Sequence, residues 1–202
     1  MSSISVIGLG GMARAIAIRA LKGGNAVQII GRDPAKAAEL ARTLGGGATT
    51  GTFGAVPAGD IVVLAVPYAS AAPVVHQYGE SLAGKVIVDI ANPFAPSFTE
   101  LLTASAAREV AGAAPASAHV VKAFNTVFAT VLATGRPLDV FIAGDDTQAK
   151  ASVSAFVESL GLRPLDAGPL AMAGPLEQTG LLMMGLGSHG VGHYDFSLGV
   201  ES

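Results

Sequence analysis

The run from Ile4 to Met12, which reads Ile-Ser-Val-Ile-Gly-Leu-Gly-Gly-Met, constrains this 202-residue chain more than any other stretch. A short apolar run ends in glycines, and a helical pattern starts at once. The spacing is G-x-G-x-x-A, with Gly8, Gly10 and Ala13 at the three fixed places. Each place answers a physical demand. Gly8 turns the chain sharply out of a strand, Gly10 lacks the Cβ that would hold a pyrophosphate off the backbone, and Ala13 is small enough for the next helix to lie on a sheet. The free N–H groups at that helix start favour an anion. The expectation is a dinucleotide site on an α/β sheet. A plain glycine-rich strand-to-helix turn is the competing reading, disfavoured by the strand before it and the periodic helix after it.

Further along, Gly11 to Lys22 reads as the first helix, with Met12, Ala15, Ile16, Arg19 and Ala20 on one stripe. Ala26 to Ile30 fits a second parallel strand. A helix follows from Pro34, at the first helical position, to Leu44. The turn between them bears on the choice of nicotinamide cofactor. An NAD protein usually ends this strand in an acid that binds the ribose hydroxyl. Here Gly31 is followed by Arg32, with Lys36 one helical turn on, and two cations suit a 2′-phosphate. NADP is therefore expected. Asp33 would serve as the ribose acid if the register slipped by one residue.

Asp60 to Ala65 and Lys85 to Ile90 are apolar runs that fit strands buried on two faces. They end in Val66-Pro67-Tyr68 and Ala91-Asn92-Pro93, loops at the strand ends where open α/β sheets bind ligands. Thr49 to Thr52 reads as a short edge strand and Ala69 to Tyr78 as a helix. Pro96 to Gly112 reads as another helix, with Leu101, Leu102 and Val110 on its core side. Val120 to Phe124 and Pro137 to Ala143 are strands, and Thr147 to Leu160 is a helix with Ala151, Phe156, Val157 and Leu160 inward. Leu162 to Ala167 is the last strand. Leu170 to Leu186 is a mostly apolar helix broken at Gly174-Pro175, and a glycine-rich tail follows.

Half of the residues are hydrophobic and 13% are charged. That apolar surplus points to a face covered by a second copy, so a homodimer is expected. A net charge of −3 weighs against a nucleic-acid partner, and the lack of cysteine excludes disulfides and thiolate chemistry. No signal peptide and no membrane span is read from the chain, which makes the cytoplasm the expected compartment.

Several stretches taken together resemble a known family. They are Gly8-Leu9-Gly10-Gly11-Met12, Gly31-Arg32, Ala65-Val66-Pro67, Val121-Lys122-Ala123-Phe124-Asn125-Thr126, Gly144-Asp145-Asp146 and, most specifically, Gly161-Leu162-Arg163-Pro164-Leu165-Asp166-Ala167-Gly168-Pro169-Leu170. They resemble the NADPH-dependent deazaflavin-coenzyme reductases (NADP oxidoreductase, coenzyme F420 dependent). The cytosolic oxidoreductase domains of transmembrane ferric reductases look similar too. The resemblance extends to about Leu186. It implies a Rossmann-type, doubly wound, mostly parallel sheet over residues 1–168. A short C-terminal helical extension over 169–202 would complete the substrate cleft and make a dimer contact. It implies hydride transfer between NADP(H) and a small-molecule acceptor, a deazaflavin such as coenzyme F420 or a flavin-like ring, without a metal. Gly8, Leu9, Gly10, Gly11 and Met12 then form the pyrophosphate turn. Gly31, Arg32 and Lys36 match the 2′-phosphate side, and Ala65, Val66, Pro67, Ala91, Asn92, Pro93 and Ala123 the nicotinamide side. Asn125 falls in the loop that reaches the second ring, where it would orient a ring carbonyl. Some deazaflavin reductases have histidine there.

Two other readings stay open. One is direct reduction of an imine or carbonyl by NADPH, for which Tyr68, His119, Tyr194, His189 and His193 are the candidate proton donors. The other is a non-catalytic NADP(H) sensor. His119 is read as structural and His76 as a surface residue. Met172, Met183 and Met184 are read as core, and Glu177 as a solvated helix residue. His189 and His193 have the spacing of metal ligands, but glycines beside them resist a helix and no third ligand is evident.

Overall fold

The computed structural model describes residues 2–201. Strand β1 (Ser3–Ile7) pairs in parallel with β2 (Ala26–Ile30) on one side and β4 (Ile61–Leu64) on the other. Beyond β2 lies the short edge strand β3 (Thr49–Gly51), and beyond β4 come β5 (Val86–Asp89) and β6 (His119–Lys122), all parallel. Strand β7 (Asp139–Gly144) runs antiparallel to β6 and carries β8 (Arg163–Asp166) in parallel at the far edge. The strand order is therefore 3-2-1-4-5-6-7-8, a mostly parallel Rossmann-type sheet.

Alternation in the strands feeds two cores. Ile4, Val6, Ile61 and Val63 face the helices α1 (Gly11–Lys22), α2 (Pro34–Leu44) and α6 (Thr147–Ser159). Ile7, Val62, Leu64 and Ile87 face α3 (Tyr68–Tyr78) and α4 (Ala106–Ala113) on the opposite side. A sheet covered on both faces selects continuous apolar strands, which is why Ile61 to Leu64 is buried throughout. Arg19 is buried in the stripe of α1, where an apolar side chain would ordinarily sit. Its guanidinium donates to the carbonyl oxygens of Leu132 (2.7 Å), Leu160 (3.1 Å) and Arg136 (2.7 Å). It thereby ties α1 to the ends of α6 and of α5 (Ala129–Ala133), a short helix that no periodicity announces.

The structure corrects several expectations. The helix over 96–112 is only α4, which starts at Ala106. Ser105 caps it by accepting from the Arg108 N–H, and before it the chain loops back through a bridge between Phe94 and Leu101. Leu102 is exposed instead of facing the core. The last helix is not broken at Gly174-Pro175. A 3-10 turn over Leu170–Met172 leads into α7 (Ala173–Gly185), and Pro175 lies in the first turn, where its missing N–H costs no hydrogen bond. On α6, Ala149 and Val153 are buried, while Ala151 is exposed. β6 stops at Lys122 because Phe124 turns left-handed, with φ +59. Among the described residues, no helix is long and apolar enough to cross a membrane.

Candidate active site

The carboxyl ends of β1, β2 and β4 form the floor of a channel. Gly8, with φ +132, makes the first turn, and its N–H donates to the Ile30 carbonyl at 2.9 Å. A Cβ there would stand 2.0 Å from the Ala65 carbonyl oxygen, so the glycine turn lies directly against the loop after β4. Gly10 differs: a Cβ on it would meet nothing within 4 Å. The space above it is open where a phosphate would approach. Helix α1 has no side-chain cap and no acid in its first turn, whereas Asp33, Ser105 and Asp146 cap α2, α4 and α6. The first amides of α1 are thus left to an external anion.

The channel is lined by Gly8, Leu9, Gly10, Gly31, Arg32, Ala65, Val66 and Pro67. Leu9 lies over Gly31, where a Cβ would stand 2.6 Å from the leucine side chain. At its outer end, Arg32 stands 5.9 Å from the ring centre of Phe53, and Thr50 and Thr52 continue the wall. Asp33 also borders the channel, but its carboxylate is engaged at the start of α2. Its Oδ1 accepts from the N–H groups of Ala35 (3.0 Å) and Lys36 (3.1 Å), capping α2. Lys36 points its amine toward Asp33 at 3.9 Å, is mostly exposed and does not line the channel.

Next to the channel is a cavity of about 200 Å³. Met12 reaches it from α1, Ile90, Asn92 and Phe94 from the loop after β5, Phe124 to Phe128 from the loop after β6, Ala129 from the start of α5, and Gly180, Met183 and Met184 from α7. Asn92 and Asn125 are cross-linked. The Asn92 amide donates to the Asn125 backbone carbonyl (2.7 Å), and Asn125 Nδ2 donates to Asn92 Oδ1 (3.0 Å) and to the Leu176 carbonyl (2.8 Å). Gly180 lets α7 approach, since a Cβ there would meet the Asn92 amide at 2.9 Å. Asn125 Oδ1 and Thr126 Oγ1 are buried in this region without a protein partner. Ala91, Pro93 and Ala123 are buried behind the wall and do not line it.

Beneath the cavity lies a feature missed in the sequence. Lys122 Nζ is fully buried and donates to Asp89 Oδ2 (2.8 Å), Glu177 Oε1 (2.7 Å) and the Ala91 carbonyl. Glu177 also accepts from the N–H groups of Ala106 (3.0 Å) and Ala107 (3.3 Å) at the start of α4. Glu177 is therefore a core residue, not a solvated one. Burial pushes its carboxyl above the usual range, with Lys122 and the two amides opposing. A signal was present: Lys122 interrupts the apolar run Val120-Val121-Lys122-Ala123-Phe124, and a charge in a buried strand needs a buried partner.

None of the candidate proton donors lines the cavity. The Tyr68 hydroxyl donates to the Glu109 carboxylate at 3.0 Å. His119 begins β6, at the end of the sheet opposite the cavity, with Nδ1 3.8 Å from Asp146. Tyr194 shares a hydrogen bond with Ser188. His189 and His193 sit on the exposed tail, and among the described residues no group of three potential ligands is placed to hold a metal ion.

Two outcomes follow from this geometry. Gly10→Val should keep the fold and its urea midpoint while weakening NADPH binding by about tenfold or more in equilibrium titration, because the new side chain fills the phosphate approach. Unchanged affinity would contradict the cradle. For Glu177, a folded pKa above the unfolded value means that protonation favours the fold. That stability is full below about pH 4.3 and is lost as the pH rises through the folded value. Glu177→Gln, although destabilised by the lost partner of Lys122, should therefore narrow its deficit to the wild type, in urea midpoint, as pH rises above about 4.3. Parallel profiles would show no proton linked to this carboxyl.

The chain is similar to several known proteins. The sequence model of the family "NADP oxidoreductase coenzyme F420-dependent" matches residues 3–93. The chain is 34% identical over 188 residues to the Metalloreductase STEAP3 of Rattus norvegicus, covering 90% of this chain and 37% of that one. It is 32% identical over 139 residues to the F420-dependent NADP reductase of Methanocaldococcus jannaschii, covering 63% and 62%. It thus spans little more than a third of the first of these curated relatives and under two thirds of the second. A crystal structure from Arthrobacter sp. FB24, of a protein provisionally named an F420-dependent NADP reductase, superposes over the full length of the two chains with a TM-score of 0.87 and 27% identity. Sheet order, glycine turn and the sequence match over residues 3–93 agree, and the chain is similar to the coenzyme F420-dependent NADP oxidoreductases.

Proposed function

We propose that this protein transfers a hydride between NADP(H) lying along the glycine turn and a flat deazaflavin or flavin-like acceptor in the adjoining cavity. The observation that carries the reading is the cavity lining. Its side chains are apolar or amide, with one hydroxyl and no titratable group. Reduction of an imine or carbonyl would call for a proton donor at the reacting atom, and Tyr68, His119 and Tyr194 are not in that wall. Transfer between two rings asks the protein only to hold them close, aligned and dry.

The residues present suit such a cofactor. Gly10 and the first amides of α1 would take the pyrophosphate, and Arg32 the 2′-phosphate. Asn125 has spent its two amide hydrogens, so its buried Oδ1 is free to accept from a ligand donor. The imide N–H of a deazaflavin would supply one. Asn125 and Thr126 would orient the rings and Met183 and Met184 would keep water out, with a bound nicotinamide supplying hydride chemistry. The Methanocaldococcus relative is named for F420-dependent reduction, which favours a deazaflavin acceptor. The exposed Phe98, Leu102 and Leu182 favour a second copy of the chain as partner.

Mixing the protein with NADPH and oxidised coenzyme F420 should produce coupled loss of the two absorbance bands. Asn125→Ala should slow that exchange at least about tenfold while leaving the NADPH dissociation constant unchanged. Absence of exchange in the wild type, or full turnover in the variant, would overturn respectively the acceptor and the role of Asn125.

A further inference from the structure

We infer that the C-terminal segment, residues 186–200, sets the ring selectivity of the acceptor cavity by holding Phe128 in its wall; this rests on reading that cavity as the acceptor site. The cavity has three aromatic side chains. Phe124 is edge-on to Phe156 of α6, and Phe94 to Phe98 of its own loop. Phe128 is braced by the tail. Tyr194 and Phe196 each meet its ring edge-on, with centroids 5.4 Å away and planes at 73° and 70°.

The tail is seated at two ends by unrelated chemistry. At the near end, Gly187 leaves room for the Tyr194 ring: a Cβ there would stand 2.3 Å from Cε1. The tyrosine hydroxyl shares a hydrogen bond of 2.8 Å with Ser188. At the far end, the Asp139 carboxylate on β7 accepts from Arg163 Nε (2.6 Å) and Nη2 (2.7 Å) and from the Val200 N–H (2.7 Å). Arg163 also donates to the Val200 carbonyl and holds the Asp139 carboxyl below its usual range. Between these anchors the two aromatic side chains fall on Phe128.

The consequence is a narrow slot. At about 200 Å³ the cavity is smaller than an ordinary ligand pocket, so the position of one aromatic wall decides what enters. A planar, fused heterocycle can lie against a fixed phenylalanine, with the offset or edge contact that such rings prefer. A bent or branched acceptor forfeits that contact. No tail residue lines the dinucleotide channel, so the effect is confined to the acceptor.

The test compares the full chain with Gly187→Val, which displaces Tyr194, and with the double variant Tyr194→Ala/Phe196→Ala, which removes only exposed or half-buried rings. For each, KM and kcat are measured with NADPH and oxidised F420. Dissociation constants for the two ligands are measured separately by equilibrium dialysis. The expected result is a rise of about tenfold in the F420 KM and dissociation constant, with NADPH binding unchanged. If Gly187→Val lowers the urea midpoint, the double variant carries the comparison. Unchanged F420 binding and KM in the double variant would overturn the role of the tail alone. A wild-type protein that binds NADPH but neither binds nor reduces F420 would overturn the reading of the cavity, and this inference with it.

Discussion

Lys122 is the pivot of the site. An ammonium removed from water costs several kcal/mol unless it is paired and hydrogen-bonded, so its partners are not free to drift. Asp89, Glu177 and the Ala91 carbonyl meet it from β5, α7 and the loop after β5. Glu177 extends the network to the first amides of α4. One buried amine thereby registers two strand ends and two helices. Loss of one partner would strand a charge, at a cost of about 3–5 kcal/mol.

That registration reaches the cavity through α7. Glu177 lies one residue after Leu176, whose carbonyl receives the Asn125 amide, and three before Gly180, which rests against Asn92. The far wall and the floor are therefore set relative to each other by the same helix. The dinucleotide channel uses a different device, a bare glycine turn with an uncapped helix, and contains no buried ion pair. Met12 and the rest of the α1 start bring the two regions together. On the proposed reading, phosphates would be met by backbone amides, and flat rings by apolar and amide side chains, each where its chemistry is cheapest to supply.

Much of the first half of the fold was legible because its signals are local. The bounds of α1, β2 and α2 follow from apolar periodicity punctuated by Gly23, Gly31, Pro34 and Gly45. The stretch after β5 was not, because its structure is set from a distance. Leu101 and Leu102 mimic a helical stripe. Yet Leu101 bridges to Phe94, and α4 begins where Ser105 and Glu177, 71 residues from Ala106, satisfy its first amides. Strand direction is equally non-local, so the sequence marks β7 as a strand without showing that it runs antiparallel. At the site, Asn92 and Asn125 could be placed in strand-end loops from sequence alone. The buried partner of Lys122 could not be named, although the misplaced charge was visible. Nor could the tail be given a role, since Gly187, Tyr194 and Phe128 are joined only by folding.

The central claim is that one hydride passes directly between two rings held by this chain. It is tested by incubating the protein with NADPH deuterated at one or the other face of nicotinamide C4, together with oxidised F420, and weighing the reduced deazaflavin by mass spectrometry. Direct transfer predicts a single deuterium in the product from one labelled face and none from the other, because the deazaflavin carbon that accepts the hydride does not exchange with water. Reduced F420 carrying no deuterium from either label would contradict the account.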